Sequence, residues 1–178
     1  MARELQNIVV MGLGYIGLPT ASMLATKGHQ VLGVDVNAKA VDTINSGRIH
    51  IVEPDLDILV RSAVNSGNLR ASLTPEEGDT FIIAVPTPFK EKNGNPKAPD
   101  LSYVESATRA IVPFVKEDDL VILESTSPVG TTELIAKIIT EGRPELAGKV
   151  HFVHCPERVL PGHILRELVD NDRIIGGT

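Results

Sequence analysis

The chain has 178 residues, 42% of them hydrophobic, and a formal net charge of −6 with a pI of about 5.3; this is enough apolar material for one sizeable core. The acidic balance argues against nucleic-acid binding, no apolar run approaches the roughly 20 residues that span a bilayer, and Met1–Gln6 lacks the apolar core of a signal peptide. A single cysteine, Cys155, excludes an internal disulfide and fits a reducing compartment. From these three observations we expect a cytoplasmic protein without nucleic-acid or membrane partners.

The first predicted element is a buried parallel strand at 8–11, followed by a G-x-G-x-x-G motif that opens a helix. Gly12 permits a tight turn out of the strand, and Gly14 lets a pyrophosphate approach the backbone closely. Gly17 lets the helix pack against the sheet, with its N-terminal amides and positive dipole end toward the phosphates. The motif therefore predicts a dinucleotide site.

The next apolar run, 30–36, predicts a second buried strand that ends near Asp35, eighteen positions beyond Gly17. A carboxylate there accepts hydrogen bonds from the ribose hydroxyls of adenosine and repels a 2′-phosphate. Asp35 therefore predicts NAD, not NADP, as the cofactor. The alternative is that Asp35 caps the following helix.

Further along the chain, helical patterns and apolar runs alternate. Helices are predicted over 38–46, from near Pro54 to Gly67, over 131–141 and over 164–169. Between them, a further helix is predicted that Asp100 or Ser102 caps and that Pro113 kinks or ends early. Strands are predicted over 69–72, 79–85, 120–123, 150–153 and 173–175. The polar stretch 89–99 predicts a surface loop and not a domain linker.

This alternation predicts one α/β domain over 1–178, a Rossmann-type doubly wound, mostly parallel sheet with helices on both faces. In such sheets, ligands bind at the carboxyl ends of the strands. The groups expected just past strand ends lie in 12–17, at Asp35, in 86–88, in 125–127 and at 157–158. Hydroxyls, one carboxylate and one guanidinium should therefore meet at one edge.

Four stretches in order, 12–20, 85–88, 124–130 and 155–162, resemble the nucleotide-sugar 6-dehydrogenases of the UDP-glucose/GDP-mannose dehydrogenase family. The stretches 50–56 and 171–177 are similar to the same family. Within the family, the chain is most similar to the branch that oxidises UDP-N-acetyl-D-mannosamine. The resemblance covers essentially all of the chain.

The resemblance implies an enzyme that oxidises the C6 alcohol of a UDP-sugar to a carboxylate with two NAD molecules, through a cysteine-bound thiohemiacetal and thioester. It places the cofactor at the three glycines and Asp35 together with Tyr15, Ile16, Thr87, Ser125 and Thr126. It implies catalytic roles for Thr126 and for Glu157, an acid/base or water-orienting carboxylate, and puts Glu157, Arg158 and Val159 at the substrate. No metal is implied.

Two departures from the family pattern matter. The glucose-specific relatives have a second glutamate four positions after the first, whereas this chain has Pro161, which argues against glucose. The family's nucleophilic cysteine and lysine base lie in motifs downstream of residue 178. We therefore expect the N-terminal cofactor-binding part of a longer enzyme, inactive by itself, whose central helical and C-terminal UDP-sugar-binding domains are absent here. The resemblance implies a homodimer for the full-length protein.

Simpler roles compete for several of these residues. Thr126 could cap a helix, Thr87 between two prolines could serve a rigid turn, and Arg158 could be a surface charge. Cys155 lies between a strand and a proline with no match to the nucleophile motif, and is expected to be a small buried residue. His151 and His154 have no common metal-site spacing and are expected at a strand edge.

Two other functions stay open. One is a dehydrogenase for another UDP-sugar, UDP-N-acetylglucosamine or UDP-glucose. The other is an NAD-sensing regulatory module, which needs the glycine motif and Asp35 but has no use for 125–127 or 157–158. Those additional groups favour an enzyme.

Overall fold

The computed structural model describes residues 6–92 and 95–177. Predictions that concern residues 1–5, 93–94 and 178 lie outside the described residues. The strands are β1 (Asn7–Met11), β2 (Gln30–Val34), β3 (Leu69–Ser72), β4 (Thr80–Ile83), β5 (Phe89–Lys92), β6 (Asn95–Pro99), β7 (Leu120–Leu123), β8 (His151–His154) and β9 (Gly176–Gly177). The helices are α1 (Gly17–Thr26), α2 (Ala38–Asn45), α3 (Leu56–Asn65), α4 (Ser102–Ile111), α5 (Thr131–Gly142) and α6 (Ile164–Asp170), with a 3-10 turn at Pro144–Leu146.

Seven strands form one sheet in the order β3-β2-β1-β4-β7-β8-β9. The first six are parallel, and only the short β9 is antiparallel to its neighbour β8. The order reverses between β1 and β4, which is the switch point where doubly wound sheets bind ligands. The predicted Rossmann-type fold class is confirmed.

The strand register lines up the carboxyl ends of the central strands. Met11 pairs with both Val34 and Ile83, Ile83 pairs with Leu123, and Leu123 pairs with His154. The residues that follow these positions in β2, β1, β4, β7 and β8 are Asp35, Gly12, Ala84, Glu124 and Cys155, in that order along one edge. Residues from five distant stretches are therefore neighbours.

Alternate residues of the buried strands serve two cores, because successive side chains point to opposite faces of a sheet. On one face, Phe81 and Leu123 pack with residues of α4 and α5 such as Ile111 and Ile139. On the other face, Val10 and Ile82 belong to the core that contains apolar residues of α1, α2 and α3. Both faces are covered, as the uninterrupted apolar strands require.

Local sequence accounts for the start of α2 and for the end of α4. The side chain of Asn37 accepts hydrogen bonds from the amides of Lys39 and Ala40 and so caps α2. The alternative role of Asp35 as that cap is therefore wrong. Asp100 Oδ1 accepts from the amide of Ser102 at the start of α4, and α4 ends before Pro113 as predicted.

The structure corrects three element predictions. The stretch 89–99 is not an irregular loop, because β5 and β6 pair as an antiparallel hairpin on the surface, with residues 93–94 outside the described part. Helix α3 begins at Leu56 instead of Pro54, after Asp55 adopts a left-handed φ of 62°. The last strand is Gly176–Gly177 and not 173–175, because these two glycines pair with His154 and Val153 of β8, whereas the Arg173 side chain donates to Glu124.

Candidate cofactor cleft

The glycine-rich loop between β1 and α1 has the geometry that its three glycines allow. Gly12 has φ +92°, and a Cβ there would lie 2.8 Å from the carbonyl oxygen of Ala84. A Cβ on Gly17 would lie 1.8 Å from the carbonyl oxygen of Gly12, so the helix approaches the loop more closely than any other residue permits. The predicted turn and close packing are confirmed. At Gly14 a Cβ would contact nothing within 4 Å, which leaves space beside the backbone.

The N-terminus of α1 opens toward this space. The first amides of a helix have no intrahelical acceptor, and among the described residues no side chain caps α1, in contrast to α2. The residues at the entrance of the helix, Gly14, Tyr15 and Ile16, line a cleft at the switch point. An uncapped helix N-terminus that lines a cleft fits an anionic group such as a pyrophosphate.

Asp35 lies at the end of β2, half-buried beside the same loop. Its Oδ2 accepts a hydrogen bond of 2.9 Å from the amide of Leu13, and its Oδ1 accepts one of 2.9 Å from the amide of Asn37. Each carboxylate oxygen can accept a second hydrogen bond, so both retain capacity for ribose hydroxyls. The Asp35 carboxylate thus binds an amide of the glycine loop and also lines the cleft.

The cleft has a volume of ≈ 400 Å³. Of the predicted site residues, it is lined by Gly12, Gly14, Tyr15, Ile16, Asp35, Thr87, Ser125, Thr126 and Glu157. Gly17 lies buried below it, and Arg158 and Val159 are not among its lining residues. The structure therefore gathers nine predicted residues from the ends of four strands and from the segment after β8.

Hydroxyl groups join the ends of β4 and β7 at the floor of the cleft. Ser125 is buried, and its Oγ donates to the carbonyl oxygens of Val85 at 2.7 Å and Ile83 at 3.2 Å. Thr87 Oγ1 donates to the carbonyl oxygen of Thr126 at 2.7 Å. The Thr126 side chain is exposed, and within the described residues no hydrogen bond occupies its hydroxyl. Ser125 and Thr87 therefore fix the backbone from which Thr126 faces the cleft.

A buried carboxylate that the sequence analysis did not assign, Glu124, also lines the cleft. It is only 2% exposed and accepts hydrogen bonds from Thr20 Oγ1 at 3.2 and 3.3 Å and from Arg173 Nη1 at 3.1 Å. Burial raises the pKa of Glu124, the nearby charge of Glu157 adds to the rise, and Arg173 and Thr20 oppose it. The one local signal for Glu124 is a charged residue directly after an apolar strand.

Glu157 reaches the cleft from the segment that follows β8. Its Oε2 accepts a hydrogen bond of 2.8 Å from the amide of Val159, which closes a short turn. The carbonyl oxygen of Arg158 accepts from Asn171 Nδ2 at 2.6 Å, while the Arg158 side chain is exposed. Two carboxylates, Glu157 and Glu124, therefore meet at the end of the cleft away from Asp35.

An apolar pocket of ≈ 310 Å³ adjoins the opposite end of the cleft. It shares Gly12, Asp35, Val85 and Pro86 with the cleft. Its other lining residues, which the sequence analysis also missed, include Val36, Leu73, Pro75, Tyr103, Ala107 and Ala110. A mostly apolar pocket beside a carboxylate that can accept from ribose hydroxyls suits an adenine ring.

Cys155 and the histidines lie outside the lining of the cleft. The Cys155 thiol is buried, 3.7 Å from Arg173 Nη1, and His154 Nδ1 lies 3.0 Å from the carbonyl oxygen of Leu123. Within residues 6–92 and 95–177, no three side chains of His, Cys, Asp or Glu are grouped to hold a metal ion. In the same part of the chain, no helix has the length and apolarity to cross a membrane.

These features fit a dinucleotide. From β2 to β7 the sheet edge spans three strand spacings, about 14 Å in total, so a cofactor extended along it can reach from Asp35 to Glu124. Asp35 and the apolar pocket suit adenosine, the open backbone at Gly14 and the uncapped helix suit the pyrophosphate, and the hydroxyls and carboxylates lie at the far end.

Comparison with known proteins agrees with this geometry. The sequence profile of the "UDP-glucose/GDP-mannose dehydrogenase family, NAD binding domain" matches residues 6–178. The chain is 59% identical over 98% of its length to an NDP-N-acetyl-D-galactosaminuronic acid dehydrogenase of Ralstonia nicotianae, of which it covers 42%. It is 56% identical over 96% of its length to the UDP-N-acetyl-D-mannosamine dehydrogenase of Escherichia coli, again covering 42% of that protein.

A solved structure is similar over the same region. The UDP-N-acetyl-mannosamine dehydrogenase of Staphylococcus aureus superposes with a TM-score of 0.88 at 45% identity, over 96% of this chain and 41% of that protein. The chain thus spans about two fifths of the length of the relatives that it matches.

Proposed function

Because the chain belongs to the UDP-glucose/GDP-mannose dehydrogenase family and matches its NAD-binding domain, we propose that it binds NAD along the edge formed by β2, β1, β4 and β7. We further propose that it serves the oxidation of a nucleotide sugar in a longer enzyme. The observation that carries the proposal is the cleft itself, which unites the uncapped N-terminus of α1, Asp35 and the Thr126 and Glu157 side chains.

In this proposal each residue has a definite place along the cofactor. Gly12, Gly14 and Gly17 shape the loop around the pyrophosphate, which Tyr15 and Ile16 flank at the helix entrance. Asp35 accepts from the adenosine ribose, and the adenine occupies the apolar pocket. Thr87, Ser125 and Thr126 line the nicotinamide end.

The chemistry is proposed to take place at the nicotinamide end. When bound, NAD supplies the hydride acceptor for oxidation of the sugar alcohol. Glu157 holds or accepts a proton there or orients a water, and Thr126 offers a free hydroxyl to the reacting groups. Arg158 and Val159, just outside the cleft, are proposed to contact the sugar nucleotide, where the exposed Arg158 guanidinium suits a phosphate.

For the substrate we propose UDP-N-acetyl-D-mannosamine, oxidised at C6 to a carboxylate with two NAD molecules. Relatives at 55–56% identity carry that activity in their names. A second candidate is another nucleotide N-acetylhexosamine, which the 59% identity to the NDP-N-acetyl-D-galactosaminuronic acid dehydrogenase favours. The NAD-sensing module finds no such support, since these relatives are named as dehydrogenases.

The share of the relatives that the chain covers, 42%, supports a longer enzyme, which we propose to be cytoplasmic. We propose that further domains supply the nucleophilic cysteine, the lysine base and most of the UDP-sugar site, and that the whole enzyme is a homodimer. Turnover of UDP-N-acetyl-D-mannosamine, UDP-N-acetylglucosamine and UDP-glucose by that longer enzyme discriminates among the substrates. Preference for UDP-glucose would contradict the assignment.

Calorimetric titration of NAD and NADP into wild-type protein and Asp35→Ala tests the cofactor site. We expect wild type to bind NAD at least about 100-fold more tightly than NADP, because the Asp35 carboxylate repels a 2′-phosphate. Asp35→Ala should weaken NAD binding at least about tenfold and reduce the preference for NAD over NADP. Asp42→Ala, which removes an exposed carboxylate from α2, is the matched control. Preference for NADP, or no binding of either, would refute the proposal.

A further inference from the structure

A second buried carboxylate, Glu53, lies in the sequence motif 50–56, for which neither the fold nor the cleft gives a role. Its side chain is 5% exposed and is not among the residues that line the cleft. Glu53 Oε2 accepts a hydrogen bond of 2.8 Å from the amide of Gly162, and Oε1 accepts one of 2.8 Å from the amide of Ile164. Both partners lie more than 100 residues away along the chain.

These two amides mark the end of the segment 156–163, which we call the substrate loop because Glu157 and Arg158 lie in it. Gly162 has φ +91°, and Ile164 begins α6 with its side chain fully buried. A charged acceptor makes stronger hydrogen bonds to amides than a neutral one does. The bond to the Ile164 amide is buried and the bond to the Gly162 amide is partly buried, which limits competition from water. Glu53 therefore anchors the loop where it joins the fold.

The rest of the substrate loop depends on few contacts. Arg158, Leu160 and Pro161 are exposed, and the loop contains neither helix nor strand. Within the loop, Glu157 accepts from the amide of Val159. From outside it, Glu167 of α6 accepts from the amide of Leu160, and Asn171 donates to the Arg158 carbonyl oxygen. Glu53 is the buried side chain that holds the loop from a distant part of the chain.

We propose that Glu53 is a positioning residue for nucleotide-sugar oxidation, because its two hydrogen bonds to Gly162 and Ile164 set the substrate loop that presents Glu157 to the cleft. This inference rests on the proposed function. The 50–56 motif then acts at the sugar end of the site, through Glu53. Binding of NAD near Asp35, at the opposite end, should not depend on Glu53.

The test is Glu53→Gln in the longer enzyme described above. The amide of glutamine retains one acceptor and turns its NH₂ group toward a backbone N–H, so one of the two anchoring bonds is lost. We expect kcat/KM for the nucleotide sugar to fall at least about tenfold and the Kd for NAD to stay within about twofold. Asp57→Asn, which removes a half-exposed carboxylate on neighbouring α3, should change neither.

A purely structural role is separated by combining Glu53→Gln with Glu157→Gln. If Glu53 acts through the substrate loop, its effect on kcat/KM shrinks to within about twofold when Glu157 is already replaced. Full multiplication of the two losses, or an equal loss of NAD affinity, would overturn the inference. Should Glu53→Gln fail to fold, Glu53→Asp keeps the carboxylate with a shorter reach and enters the same comparison.

Amide hydrogen exchange at Gly162 and Ile164 tests the anchor without turnover. Both amides should be protected in the wild type and exchange faster in Glu53→Gln, while those of β1 and β4 stay protected. Unchanged exchange would refute the anchor. Absence of NAD-dependent turnover in the wild type would refute the proposed function instead, so the two failures are distinguishable.

Discussion

Gly14 and Gly17 belong to the same motif, but the folded protein requires them for different physical reasons. Gly17 is needed for folding, since a Cβ there would overlap the carbonyl oxygen of Gly12 at 1.8 Å. At Gly14 the surroundings are open, and only a ligand against the backbone would exclude a side chain. Substitution can therefore separate the stability of the loop from cofactor binding.

We predict that Gly14→Ala leaves the free energy of unfolding within about 0.5 kcal/mol of wild type but weakens NAD binding at least about tenfold. Gly17→Ala should lower the free energy of unfolding by about 3 kcal/mol, because the helix must shift away from the loop. Urea unfolding and calorimetric titration measure the two effects. A large stability loss in Gly14→Ala, or its normal NAD affinity, would contradict this division.

At the scale of secondary structure, the Glu124–Arg173 pair joins the end of β7 to the segment between α6 and β9. Thr20 of α1 completes the contact through its hydroxyl. The Glu124 side chain is 3% exposed and that of Arg173 27%, so water screens the pair poorly. Removal of the cation would leave a buried, charged carboxylate with only a hydroxyl partner.

Arg173→Met is therefore expected to lower the free energy of unfolding by about 3 kcal/mol at neutral pH. Burial holds the folded-state pKa of Glu124 above its ordinary value of 4.5, and loss of Arg173 raises it further. A group with a raised folded pKa favours folding when protonated, so stability is lost as the pH rises from 4.5 through that pKa. The deficit of Arg173→Met should shrink as the pH falls toward 4.5.

Denaturant unfolding at several pH values measures this deficit. Arg166→Met, which breaks the exposed pair with Asp170, is the control and should cost less than about 1 kcal/mol at every pH. A deficit of Arg173→Met that is equal at pH 5 and pH 8 would show that charge burial is not its cause.

At the scale of the whole molecule, one aligned row of strand ends brings the site together. The row runs from the apolar pocket beside Asp35 to the two carboxylates Glu124 and Glu157. This row is long enough to contact an extended dinucleotide from one end to the other. Cys155, the one thiol of the chain, lies outside the cleft and against Arg173. The described residues therefore form a cleft suited to a cofactor, and the Cys155 thiol is not part of its lining.

We predict that the 178-residue chain binds NAD and is stabilised by it but produces no NADH from UDP-N-acetyl-D-mannosamine. A saturating ligand at about 100 times its Kd adds about 2.7 kcal/mol to the free energy of unfolding, so NAD should raise the Tm clearly. NADP serves as the matched control and should raise it far less. Detectable turnover by this chain would contradict the proposal that a cysteine and a lysine of further domains are required.

The sequence by itself determined the features that depend on neighbouring residues. The apolar run before Gly12, the glycine spacing and Asp35 after the next apolar run predict strand, turn, helix and cofactor preference, because each is a local steric or electrostatic requirement. Alternation of such units then fixes the fold class, since parallel strands need crossover helices. The predicted strand ends at 120–123 and the end of α4 before Pro113 follow from the same local rules.

Only the tertiary structure decided which distant groups meet. Glu53 and Ile164 are 111 positions apart, and Glu124 and Arg173 are 49 apart, so no local pattern connects them. The apolar pocket likewise combines residues after β2, after β3 and on α4. These contacts follow from strand order and register, which place segments that are distant in sequence side by side. Strand order and register in turn depend on how the whole sheet packs.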